Sequence, residues 1–205
     1  YELDRYLIGR AVEQKKEVPL SRVENQPYIH YQKGSLVTYW LADLVGEETI
    51  NRALKKYVAA VKFKGPPYTN STQLLSFLRE EVDPRFHPLL DDLFDRIVLY
   101  DNRATSASMK QNAAGGWDVT IKVKAVKYVA SEKGEQSEVD FDDTMVVGAL
   151  DEDDVAVCLE KRQIKKGESE LTFTCPKKPS RAGVDPMNEL IDRNSDDNTT
   201  SISTD

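Results

Sequence analysis

The sequence predicts a multidomain α + β chain, an antiparallel α-helical array followed by a small antiparallel β-sandwich of the immunoglobulin-like kind. Three observations predict it. Apolar residues recur at helical spacing through roughly the first hundred positions. The period then switches to two at Trp117, where Trp117, Val119, Ile121, Val123 and Ala125 alternate with Asp118, Thr120, Lys122 and Lys124. Between the two patterns lies a stretch rich in Asn, Ser, Ala and Gly, residues 101–116, which reads as a linker. The expected organisation is a helical domain over 1–100, the linker, a sandwich over 117–178 and an extended, partly disordered tail over 179–205.

The first helix is expected over Tyr1–Lys16, with Leu3, Tyr6 and Leu7, extended by Arg10-Ala11, at helical spacing and Gly9 as a mild weakness. Glu17-Val18-Pro19 ends it, because the residue before a proline avoids helical backbone. Residues 21–27 are polar and read as a surface loop. The second helix, Lys33–Val45, is the most apolar segment of the first hundred residues. Its Leu36, Val37, Trp40, Leu41 and Leu44 cover more than half the circumference, which predicts packing on several sides. Gly46 is its C-cap.

The third helix, Glu47–Phe63, has acidic residues in its first turn and lysines near its end, as the macrodipole prefers. Ile50, Leu54, Tyr57, Val58 and Val61 form its stripe, and Gly65-Pro66-Pro67 breaks it. Asn70 or Ser71 caps a fourth helix with Leu74, Leu75, Leu78 and Val82 inward. A fifth is expected over Phe86–Leu99. Short connections make such helices antiparallel neighbours.

In the second half, Val139–Ala149 is a strand or pair of strands. Val155–Ile164 and Ser169–Cys175 form a hairpin about Lys166-Gly167. With those two residues as the turn, Cys158 falls opposite Cys175; longer turns leave the register open. Several such strands predict the sandwich. In the tail only Val184, Leu190 and Ile191 are candidate anchors.

Bulk properties exclude several function classes. A net charge of −7 with a pI near 5.0 and no basic block argues against nucleic acid. The longest apolar run, Leu36–Val45, is half the ~20 residues that a membrane-spanning helix needs. The first residues, Tyr1-Glu2-Leu3-Asp4-Arg5, look like the inside of a helix rather than a signal peptide, so a cut piece of a longer protein, or a processed form, is expected. Two cysteines and two histidines lie far apart, and no His-Glu-x-x-His occurs. A zinc site needs three or four ligands at characteristic spacings, so none is expected within this chain. The aspartates at 140, 142, 143 and 151–154 lack EF-hand spacing and read as a solvated acidic surface rather than a calcium site.

One constellation points to chemistry. Tyr28 and Tyr31 stand just before Lys33-Gly34 and the buried helix. A tyrosine phenol titrates near ~10, so at neutral pH it remains a hydrogen-bond donor suited to a developing oxyanion. Packing aromatics at a helix start is the competing reading. Of the remaining candidates, His30 reads as a loop histidine, His87 as a structural residue at a helix start, and Lys33 as a solvated lysine.

The run Tyr31-Gln32-Lys33-Gly34 followed by an apolar helix resembles the catalytic-tyrosine segment of M1-family zinc aminopeptidases, the gluzincins, in which Glu usually stands where Gln32 does. The resemblance continues through Leu44-Val45-Gly46-Glu47, Tyr57 and Tyr68-Thr69-Asn70. The segments Tyr1–Arg10, Val23–His30 and Gly183–Asn198 resemble a bacterial subgroup in which the peptidase follows an ABC-transporter permease-like membrane region. The resemblance implies a zinc-dependent enzyme that hydrolyses peptides from the N-terminus, with Tyr31 as oxyanion donor. It implies that the zinc ligands lie in an upstream catalytic domain of the same parent chain. It also implies a parent in the bacterial inner membrane, with this soluble module outside the bilayer and touching the membrane only through upstream segments. The rival expectation is a non-catalytic protein-binding module of a membrane-associated transporter assembly.

On either reading, the 205-residue chain alone is expected to bind zinc weakly at most and to lack aminopeptidase activity. Elemental analysis after dialysis checks this: stoichiometric zinc would reveal a ligand set that the sequence conceals.

Overall fold

The computed structural model describes residues 1–204. The chain divides into two compact units. One comprises Tyr1–Val98 together with Ala130–Glu135, and the other comprises Leu99–Val129 with the chain from Gln136 onward.

In the first unit α1 spans Glu2–Val12 and buries Leu3 and Tyr6. It stops earlier than its expected end at Lys16. Glu13 is already extended, and its N–H closes the last turn on the Gly9 carbonyl. A π-turn, Tyr28–Lys33, leads directly into α2, Gly34–Val45. Gly46, at φ +88°, ends α2 and opens α3, Glu47–Val61. Only glycine adopts that backbone without strain.

The Asn70 side chain caps α4, Ser71–Glu81, by accepting the Gln73 N–H at 3.0 Å. Helices α3 and α4 lie antiparallel. Arg52 bonds Glu81 at 3.0 Å, and the Tyr57 ring meets Phe77 at 6.0 Å. Of the predicted α3 stripe only Ile50 is buried: Tyr57 and Val61 are half-buried, Leu54 and Val58 are exposed, and the other buried position is Ala53, which the stripe did not include.

The expected fifth helix is short and irregular. A 3-10 turn at Pro84–Phe86, α5 at His87–Leu90 and a π-turn at Asp91–Asp95 precede a strand that begins at Ile97. Residues 97–99 are therefore strand, not helix. Ile97, Val98, Leu99 and Tyr100 are all buried, and a continuous apolar run of four cannot be told from helix by periodicity.

The segment expected as a linker is mostly strand. β1 runs Ile97–Gln111 and neighbours β2, Trp117–Ala130, in one sheet. The linker reading came from small and polar residues. In place, Asn102, Ala104, Ala107 and Met109 are buried, and only the turn at 112–116 is loop. There the Asn112 carboxamide oxygen accepts the N–H groups of Ala114 and Gly116.

β3, Gln136–Val139, flanks β2 in the same sheet. β4, Asp142–Leu150, belongs to a second sheet. β5, Ala156–Lys165, pairs antiparallel with β4. β6, Gly167–Cys175, pairs antiparallel with β2, from Trp117–Cys175 to Ala125–Gly167. The two strands expected as a hairpin thus enter different sheets, and the chain turns between them at Gly167, φ +101°. Cys158 and Cys175 do meet, as a disulfide with Cα atoms 5.2 Å apart. The bridge links one sheet to the other instead of lying across a ladder.

A buried cluster makes a second link. Lys127 of β2 and the Tyr100 hydroxyl of β1 both donate to Asp143 of β4, at 2.8 and 2.7 Å.

The tail expected to be partly disordered is built into these sheets. β7, Arg181–Val184, pairs with β4, and β8, Thr199–Ser201, pairs with β7. β9, Ser203–Thr204, runs parallel to β1. Between β7 and β8, Leu190, Ile191 and Asp192 are buried. Short acidic side chains hold this loop. Asp185 accepts the N–H groups of Glu189 and Leu190, and Asp192 those of Asn102 and Asn194. Polar composition suggested disorder, but aspartates that satisfy backbone donors locally are what an ordered loop requires.

The disulfide closes a loop with a sequence separation of 17. Replacing both cysteines by serine is expected to cost about 3 kcal/mol, on the chain-entropy scale for such a loop. Urea unfolding of both forms checks this. Equal midpoints would show that the link adds nothing beyond the sheet pairing.

Candidate functional site

The π-turn Tyr28–Lys33 sorts its side chains. Tyr28, Ile29, Gln32 and Lys33 point inward and are buried, while Tyr31 is 67% exposed. A regular α-helix advances one turn per 3.6 residues. The wider π-turn keeps the pairs 28–29 and 32–33 on the inner side and turns residue 31 further from residue 28 than an α-helix would, and such turns recur at functional sites. The His30 and Tyr31 rings lie 4.5 Å apart on the outer side. The Tyr31 hydroxyl takes no hydrogen-bond partner among the described residues, and His30 Nδ1 is buried without one.

Tyr28, the neighbouring candidate, is placed differently. It is 8% exposed and stacks on Tyr6 with ring centroids 5.9 Å apart. α1 and the π-turn approach so closely here that a Cβ on Gly9 would lie 2.4 Å from Tyr28 Cβ. The glycine read as a mild weakness of α1 is thus what lets Tyr28 dock.

Beneath this stack lies a buried charge cluster that the sequence reading missed. Glu17, 6% exposed, accepts the Tyr6 hydroxyl at 2.5 Å and Arg10 Nε at 2.6 Å. Burial, then Glu17, pushes the Tyr6 phenol well up from its ordinary value. One signal was available: Leu3, Tyr6 and Arg10 follow each other at three and four residues, placing a guanidinium on the apolar face of α1.

Lys33 is the clearest departure from expectation. Read as solvated, it is 1% exposed. Its Nζ donates to the Arg96 carbonyl at 3.3 Å and lies 5.8 Å from the centre of the Tyr6 ring. Burial lowers its pKa to about 8, against the opposing pull of Glu17. Lys33 therefore braces the inner side of the π-turn and is closed to a ligand on the outer side.

The other candidates are accounted for by structure. His87 Nε2 lies 3.1 Å from the Arg79 carbonyl and 3.2 Å from that of Val82, so it ties α5 to the end of α4. Asp143 belongs to the Lys127–Tyr100 cluster. Asp151 caps its own turn, accepting the N–H groups of Asp153 and Val155. Among the described residues no three His, Cys, Asp or Glu side chains come together as a metal site. Nor is any helix among them long and apolar enough to cross a membrane. No family profile matches the sequence, and no curated protein matches it.

A depressed lysine pKa sets a pH dependence with a definite sign. Unfolded Lys33 titrates near 10.5 and folded Lys33 near 8. Between those values the unfolded chain binds more protons, so stability rises with pH. Relative to Lys33→Met, the wild type should gain up to about 3 kcal/mol from pH 7 to pH 10.5, the 2.5-unit shift converted at 1.36 kcal/mol per unit. Chemical denaturation of both proteins across that range checks it; a flat difference would place the ammonium in water.

Proposed function

We propose that this chain is the C-terminal portion of a zinc-dependent M1-like aminopeptidase, supplying the oxyanion-stabilising tyrosine but not the zinc ligands. The observation that carries the reading is Tyr31 itself: an exposed phenol with no internal partner, on a π-turn braced from beneath, at the head of the apolar helix α2. A hydroxyl held only by its backbone is free to meet a substrate. Its support does not move with it, because the inner residues of the same turn are locked by stacking, burial and the Lys33 hydrogen bond. Preorganised donors of this kind act where charge develops, and their advantage is that they need not reorganise during reaction.

In this reading the peptide carbonyl approaches the outer side of the π-turn. The Tyr31 O–H donates to the carbonyl oxygen as it gains charge in the tetrahedral intermediate. Zinc would supply the activated water, and its ligands belong to an upstream catalytic domain of the parent. The two sheets of the second unit are read as an immunoglobulin-like sandwich. A parent anchored in the bacterial inner membrane, with this module outside the bilayer, completes the proposal. A second reading, a non-catalytic protein-binding module of a transporter assembly, draws on the exposed aromatics Tyr39, Phe63 and Tyr68, which offer protein contacts independent of any chemistry.

Tyr31→Phe in the full-length parent separates the readings. Loss of one oxyanion donor should lower kcat by ~10²–10³. Stability should scarcely change, since the hydroxyl has no internal partner to lose. Tyr28→Phe is the control and should leave kcat within a few-fold. Near-normal kcat for Tyr31→Phe would remove the assignment and favour the binding module.

A further inference from the structure

A second site lies in the same unit, on the inner side of the π-turn and apart from Tyr31. Arg10, Glu17 and Tyr28 share a cavity of about 360 Å³, completed by the chain after α1 and by the hairpin tip at Glu132–Gly134. We propose that this cavity binds a small molecule through its carboxylate group, held by the Arg10 guanidinium and the Tyr28 hydroxyl.

The donors are poised and unspent. Arg10 uses Nε on Glu17 and has no other partner among the described residues, so its two terminal nitrogens are open to a ligand. Glu17, fixed by Tyr6 as well, locks the guanidinium in place. The Tyr28 oxygen accepts a long 3.5 Å bond from Gln26 Nε2, which leaves its own hydrogen to donate. Burial, then Glu17 and Glu13, pushes the Tyr28 phenol up to about 12, so it is a donor throughout the neutral range. A guanidinium fork with one adjacent hydroxyl matches the two oxygens of a carboxylate.

Local charge favours an anion, and a singly charged one. The Lys15 and Lys133 side chains at the rim form no ion pair among the described residues, whereas Glu132 is engaged by Arg22 at 3.0 Å and Lys16 at 4.0 Å. The cavity is therefore cationic within a chain of net charge −7. Yet Glu17 stands directly behind Arg10 and Glu13 on the wall. A phosphate dianion would face both carboxylates, while a carboxylate brings one charge and a flat, two-oxygen edge.

The test is an NMR titration of the 205-residue chain with N-acetylglycine, with inorganic phosphate and glycinamide in parallel. N-acetylglycine should give saturable shifts centred on Arg10 and Tyr28, phosphate should bind more weakly, and glycinamide should give none. Tyr28→Phe keeps the ring on Tyr6 and should weaken N-acetylglycine about tenfold, the size of one hydrogen bond to a charged group. Arg10→Lys should weaken it at least as much; if that variant fails to fold, Tyr28→Phe decides. Tyr31→Phe should bind as the wild type does, which separates this site from the proposed catalytic one. Absence of saturable shifts, unchanged affinity in Tyr28→Phe, or phosphate binding as tightly as N-acetylglycine would each overturn the proposal.

Discussion

The first unit depends on one buried carboxylate. Glu17 sits out of water between the Tyr6 hydroxyl and the Arg10 guanidinium. An ionised carboxylate in such a place costs several kcal/mol unless it is fully paired. Both partners project from α1, so satisfying Glu17 ties the chain after that helix back against it. The Glu17 N–H meanwhile bonds the Glu132 carbonyl and brings in the hairpin tip. The position of the π-turn follows, because Tyr28 stacks on the same Tyr6 that Glu17 holds, and the Lys33 ammonium lies over that ring.

Two faces of a six-residue turn thereby acquire different characters. The inner residues are committed to packing and to the charge cluster. The outer pair, His30 and Tyr31, is supported by that packing without being consumed by it. A π-turn suits this division, since with more residues per turn it sets Tyr28 and Tyr31 on more divergent sides than a regular helix would. Tyr28 and Tyr31, three residues apart, consequently face different surroundings. One phenol overlooks a charged cavity and the other overlooks open solvent, so the ligands proposed for them are separate.

The second unit rests on links between its two sheets. Lys127, Tyr100 and Asp143 form a buried, charge-assisted link from β1 and β2 to β4, and the disulfide makes a covalent one from β5 to β6. The loop between β7 and β8 is held by a different device. Its aspartates bond backbone N–H groups of the loop itself and of β1. Close packing adds to it at Gly183, where a Cβ would lie 1.9 Å from the Asn198 carbonyl oxygen.

The sequence by itself determined the local elements. Apolar period, caps and breakers located α1 to α4, a cap for α4 at Asn70 or Ser71, the Gly46 break and the alternating strand β2, because each is written in residues close along the chain. It also marked Tyr31 and Tyr28 as candidates, through their place before an apolar helix. Only the tertiary structure decided the rest. Strand β1 was hidden because small residues read as loop until another element covers them. β5 and β6 were mistaken for a hairpin because a short connection does not say which sheet each strand joins. Lys33 looked like a solvated charge and Glu17 only like part of a helix end, since burial of a charge depends on partners that lie 63 residues away for Lys33 and 7 and 11 away for Glu17. Which tyrosine faces outward was settled by the π-turn, a backbone choice made by packing against α1 and invisible to any count along the chain.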